Sequence, residues 1–173
     1  MCIRDRLKAP NHLGHLPLLL ATYPDARIVH THRDPLTCMA SATNLLGCLL
    51  WMRSRKPFDS TAFEDVILGE ATASRLDNVM RQRDAGLIPA ERIVDSVYQE
   101  LMDDPLATVT RLYAGLDLEL DEATLQAMQD YLAAKPKGKH GVHRYQAADA
   151  QTRVRERALF RAYQLRHGVP DES

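Results

Sequence analysis

The hydrophobic pattern changes period twice within the first third of the chain. Asn11 precedes an apolar stretch with helical spacing, so it is expected to cap a helix from His12 to Thr22, ended by the turn Tyr23-Pro24-Asp25. A β-branched run predicts a short strand from Arg27 to Thr31, buried in a parallel sheet. A largely apolar helix then runs from Pro35 to about Met52, interrupted at Gly47. Residues 56–60 read as a loop whose Ser60 caps a long amphipathic helix, Thr61 to Asp84, with Phe63, Val66, Ile67, Ala71 and Leu76 on its apolar side. Gly86 to Ala90 is a turn, and Arg92 to Val97 a second strand closed by Tyr98. Asp104 and Pro105 open a helix to about Ala114, and Asp121 caps another to Ala134. A basic loop, Lys135 to Ala147, leads into a charged final helix from Gln151 to His167.

Strands alternating with helices define an α/β class rich in helix, without internal repeats or low-complexity tracts. The 173 residues, 45% hydrophobic and 26% charged, suit one globular domain with a true core. A formal net charge of -1 gives no general attraction to nucleic acid or to an anionic membrane, so any anion site must be local. Cys2, Cys38 and Cys48 show no CxxC spacing and cannot all pair, which points to a reduced, cytoplasmic setting. The densest apolar run, Leu45 to Met52, falls far short of the roughly 20 residues of a bilayer span, so no membrane span is expected. Residues 1–6 do not lead naturally into the text after Lys8; they read as a non-native or misjoined leader, with 7–173 as a single domain.

The strongest chemical signal lies where strand gives way to helix. The β-branched run ends at Arg33; Asp34 is placed to cap the following helix and Pro35 suits its first position. Arginine presents a planar fork of donors, and Ser41, eight residues on, adds a hydroxyl near the helix start. That combination is suited to a phosphate.

Two further blocks flank this junction: residues 7–16, Leu-Lys-Ala-Pro-Asn-His-Leu-Gly-His-Leu, and residues 137–145, Lys-Gly-Lys-His-Gly-Val-His-Arg-Tyr. In this order the three blocks resemble the PAPS-dependent sulfotransferases, and in particular a bacterial group of them, from about Lys8 to about His167. PAPS is 3′-phosphoadenylyl sulfate. The resemblance implies a P-loop-like parallel sheet flanked by helices. It also implies transfer of a sulfuryl group from PAPS to a hydroxyl or amine of a small-molecule, glycan or peptide acceptor. Arg33 and Ser41 would hold the 3′-phosphate, with Tyr98 near the adenine. Lys137, Gly138 and Lys139 would close over the same site. Lys8 would stabilise charge on the leaving oxygen and His12 would take the acceptor proton, with His15 one turn later able to exchange roles with it.

The match departs from the family pattern at three places. Lys8 and His12 are more widely spaced than in the animal enzymes, Gln99 follows Tyr98 where an acidic residue is usual, and Pro136 precedes Lys137 where an arginine is usual. The strand, phosphate-cradling loop and helix with which the family begins are not found; the eight glycines are scattered and no GxxxxGK[ST] occurs. The chain is therefore expected to be an N-terminally truncated, C-terminal part of a longer enzyme, inactive by itself.

Two rivals follow from the same residues. A nucleotide kinase-like phosphotransferase would need metal-binding acids at a strand end and a lysine loop, and neither is found. A helical anion- or RNA-binding module would use the basic loop 135–145, whose Gly138-Lys139-His140-Gly141 is KH-like, though the order of elements and the near-neutral charge oppose nucleic-acid binding. The pairs His12/His15, His30/His32 and His140/His143 lack an HExxH and an acidic partner at ligand spacing, so no metal is expected.

Overall fold

The computed structural model describes residues 7–57, 69–135 and 150–172. Two strands, β1 (Ile28–His32) and β2 (Ile93–Val97), pair in parallel with Ile28 opposite Ile93 and His30 opposite Asp95. Before them come a 3₁₀ turn, Pro10–His15, and the short helix α1 (Leu16–Thr22). Helices α2 (Pro35–Trp51) and α3 (Gly69–Asp84) lie between the strands in sequence. After β2 follow α4 (Tyr98–Asp103), α5 (Pro105–Gly115), α6 (Glu122–Ala134) and α7 (Ala150–His167). The fold is the expected helix-rich α/β arrangement.

The caps read from sequence work as anticipated at three helices. Asp34 accepts from the Leu36 N–H at 3.0 Å, Asp104 from Ala107 at 2.9 Å and Asp121 from Thr124 at 2.6 Å. At Asn11 the expectation is corrected. Pro10, with its preset φ, starts a 3₁₀ turn one residue earlier, and the extended residue before it, Ala9, makes no side-chain cap. Regular α-helix begins only at Leu16. Tyr98 is corrected too: extended Val97 turns straight into α4, so Tyr98 opens a helix instead of closing a strand. Ser60 and residues 61–68, where the long amphipathic helix was expected to begin, lie outside the described residues.

Two apolar clusters hold the layers together. Met39 of α2, Ala73 and Leu76 of α3, and Phe160 and Tyr163 of α7 form one with Val169. Leu16, Val79, Ile88 and Ile93 form the other, and Leu13 packs against both. These clusters fix α7 across α2 and α3, beside the C-terminal end of β1. That placement builds the corner described next.

Candidate active site

Arg33 follows β1 directly, so the strand aims it and the α2 cap anchors it. Asp34 is fully buried and takes three further hydrogen bonds besides its cap. Arg157 of α7 donates to both of its carboxylate oxygens, at 2.6 and 3.0 Å, and the Glu172 N–H donates at 2.8 Å. A buried charge requires this degree of pairing. Gly168, in the left-handed region at φ +64°, turns the chain out of α7, and the Val169 N–H caps back to the Gln164 carbonyl at 2.9 Å. The tail this turn produces runs back over the Arg33 corner.

There the tail delivers an oxyanion to Arg33. Arg33 Nε donates to Glu172 Oε1 at 2.8 Å and Nη2 donates to Oε2 at 2.6 Å, a two-pronged grip. These hydrogen bonds raise the Arg33 pKa above its ordinary value. The same guanidinium lies 4.1 Å from the centroid of the Tyr98 ring, a cation–π contact. Arg33 and Tyr98, 65 residues apart in sequence, are thus adjacent. An open groove of about 430 Å³ lies on the far side of Glu172, lined in part by Leu36, Arg153, Arg157, Arg161 and Glu172 but by neither Arg33 nor Tyr98.

The remaining sequence-predicted residues stand as follows. Ser41 is half-buried on α2, one turn beyond Cys38. Desolvation pushes the Cys38 thiol up, against the pull of the Arg33 charge. Among the described residues no hydrogen bond joins Ser41 to Arg33. Lys8 is exposed and His12 half-buried in the 3₁₀ turn; among the described residues no hydrogen bond or ion pair joins either side chain to the Arg33 corner. Lys137, Gly138 and Lys139 lie outside the described residues, as does most of the loop 135–145.

The histidine pair on β1 is where sequence reasoning missed most. Its acidic partner is supplied by β2: His30, His32 and Asp95 present ligand-type atoms all within 4.8 Å of one another. The reading that no acidic partner accompanies the pair is therefore corrected. Spacing along one strand carries no signal for a partner brought in by cross-strand register. The carboxylate is already engaged: Arg83 donates to its two oxygens at 2.7 and 2.9 Å. Asp95 is acceptor-only when ionised, so the His32 Nε2 2.8 Å away carries the proton, and in the neutral ring Nδ1 accepts from the Tyr163 hydroxyl at 2.8 Å. Burial alone would raise the Asp95 carboxyl, but the hydrogen bonds from His32 and Arg83 hold it well below the usual range. His30 and His167 flank this chain of contacts. Burial first, then the His32 charge, lowers them to about 3 and about 4, so both are neutral at pH 7.

A profile of the sulfotransferase family matches residues 2–122, more than half of the sequence. The chain belongs to the sulfotransferase family. It is also 28% identical over 129 residues to the omega-hydroxy-beta-dihydromenaquinone-9 sulfotransferase Stf3 of Mycobacterium bovis, and equally so to that of Mycobacterium tuberculosis. Those alignments cover 73% of this sulfotransferase chain and 32% of each relative, so the chain spans about a third of the length of the curated relatives it matches. The crystal structure of sulfotransferase STF9 from Mycobacterium avium superposes with a TM-score of 0.65 at 23% identity. It covers 96% of this chain and 42% of that one, and shows that the folds agree. Among the described residues no helix of this sulfotransferase chain is long and apolar enough to cross a membrane.

Proposed function

We propose that this member of the sulfotransferase family uses PAPS as donor and holds the donor's 3′-phosphate at the Arg33 corner. The observation that carries this reading is the two-pronged grip of Arg33 on the Glu172 carboxylate. A carboxylate and a phosphate offer the same pair of oxygens to a guanidinium fork, so the Glu172 oxygens stand in for two phosphate oxygens. In this reading Tyr98, whose ring lies against the guanidinium, packs near the adenine.

In this reading Ser41 adds its hydroxyl to the 3′-phosphate, and Lys137, Gly138 and Lys139 close over it with charge and backbone amides. Sulfuryl transfer breaks the bond from sulfur to the donor's bridging oxygen and makes one to an acceptor oxygen or nitrogen. Lys8 offsets the negative charge that builds on the bridging oxygen, and His12 receives the acceptor proton. No metal takes part in these steps. The acceptor is a small molecule bearing a hydroxyl or amine. The named activity of the Stf3 relatives, on an omega-hydroxylated dihydromenaquinone, supports a lipid alcohol. In this reading the protein works in the cytoplasm, the reduced setting suggested by its three cysteines without CxxC spacing.

Calorimetry with adenosine 3′,5′-bisphosphate, the product left by PAPS, tests the reading. Binding that survives unchanged in Arg33→Ala would remove Arg33 from the site.

A further inference from the structure

We propose that the end of α2 and the turn after it, residues 45–56, form a docking surface for an anionic lipid bilayer. The first half of α2 is anchored, with Pro35 and Met39 buried; beyond Met39 the helix has no buried residue. Its last turn emerges from the body, with Leu49, Leu50, Trp51 and Met52 exposed at 42%, 40%, 74% and 68%, alongside Leu45 at 60%. Cys48 is exposed as well. Five successive residues, 48–52, are all exposed, Trp51 and Met52 most of all. A protein groove accepts one stripe of a helix, whereas a bilayer interface can receive a whole tip.

Charge fixes which bilayer. The sequence carries no Asp or Glu from residue 35 to residue 58, while Arg53, Arg55 and Lys56 follow the apolar turn at once. All three are exposed, and among the described residues no acidic group pairs with them. An apolar tip with a tryptophan, bordered by three cations, matches the order of hydrocarbon, interface and anionic headgroup met on entering a membrane surface. The chain's near-neutral total charge hides this local imbalance. Such docking holds the protein at the membrane without spanning it and does not depend on the donor reading above.

Trp51 is the single tryptophan of the chain, so its emission reports on this surface alone. The protein is titrated with vesicles of equal parts phosphatidylglycerol and phosphatidylcholine, and separately with phosphatidylcholine alone. The expected result is a blue shift with the anionic vesicles, quenching by brominated acyl chains, and release when salt rises from about 0.1 to 0.5 M. Each lost cation should weaken partitioning about fivefold, so the Arg53→Gln, Arg55→Gln, Lys56→Gln triple variant should bind on the order of 100-fold more weakly. The far-UV circular dichroism and thermal midpoint of that variant should be unchanged, which shows that it folds without calling on the donor site. Salt release of the unaltered protein needs no variant. The proposal is overturned by no shift with anionic vesicles, or by equal binding to neutral ones. A blue shift that grows with protein concentration without lipid would assign the patch to a second copy instead. Emission already blue-shifted and iodide-protected in the free protein would show that the chain covers it.

Discussion

Arg33 and Glu172 lie 139 residues apart and meet in a two-pronged ion pair in which the carboxylate occupies the fork proposed for a phosphate. If both anions use one fork, they compete. Glu172→Gln should then tighten adenosine 3′,5′-bisphosphate binding roughly fivefold, the worth of one partly exposed ion pair. Arg33→Ala should weaken it by at least about tenfold. Calorimetry on the three proteins reads both effects; weaker binding in Glu172→Gln would mean that the carboxylate positions Arg33 and does not compete.

Asp34 should be the costliest single side chain of the corner to remove. It caps α2, pairs with Arg157 and receives the Glu172 N–H, all while fully buried. Asp34→Ala leaves the Arg157 guanidinium without its main partner and should cost on the order of 3–5 kcal/mol in denaturant unfolding. A loss below about 1 kcal/mol would show that water replaces the carboxylate.

Stability should fall with acid in a defined window. His30 and His167 have folded pKa values of about 3 and about 4, below the ordinary 6.5, so the unfolded chain binds protons that the folded chain refuses. The groups facing them are His32, Asp95 and Arg83, with Arg166 beside His167. The stabilisation is complete above about pH 6.5 and is lost as pH falls towards 4 and then 3. Each histidine contributes up to about 1.4 kcal/mol per pH unit there. Urea midpoints measured from pH 7 to 4 should drop steeply, and His30→Gln should flatten the slope.

Gly168 should resist substitution. Its φ of +64° is the conformation that aims the tail at Arg33, and Gly168→Ala should cost about 1–2 kcal/mol. Because no atom stands within 4 Å of a Cβ built there, the loss would be one of backbone conformation alone. Thermal unfolding measures it, and an unchanged midpoint would disprove the assignment.

What could be read from sequence was local. Asp34, Asp104 and Asp121 announced their helices because a cap and its recipient lie two or three residues apart. Arg33 was legible for the same reason, as the residue between a β-branched run and an Asp-Pro pair. Its partner Glu172, the Arg157 fork on Asp34 and the Asp95 partner of His32 were not, since each depends on packing between elements 63 to 139 residues apart. The 3₁₀ turn at Pro10 and the helix opened by Tyr98 were missed for a different reason: proline geometry and tertiary docking overrode the propensity of their neighbours.

The pairing of His30 with Asp95 has a consequence for how β1 and β2 find each other. Neighbouring side chains on β1 alternate faces, with His30 and His32 inward and Val29 and Thr31 outward. Sliding this strand by a single position would turn a valine and a threonine towards Arg83, Asp95 and Tyr163, stranding a carboxylate and a guanidinium without their imidazole neighbours. Among the described residues the sheet has two strands, so the polar cluster adds to the Ile28 and Ile93 packing as an assembly key, rejecting frames that turn the imidazoles out.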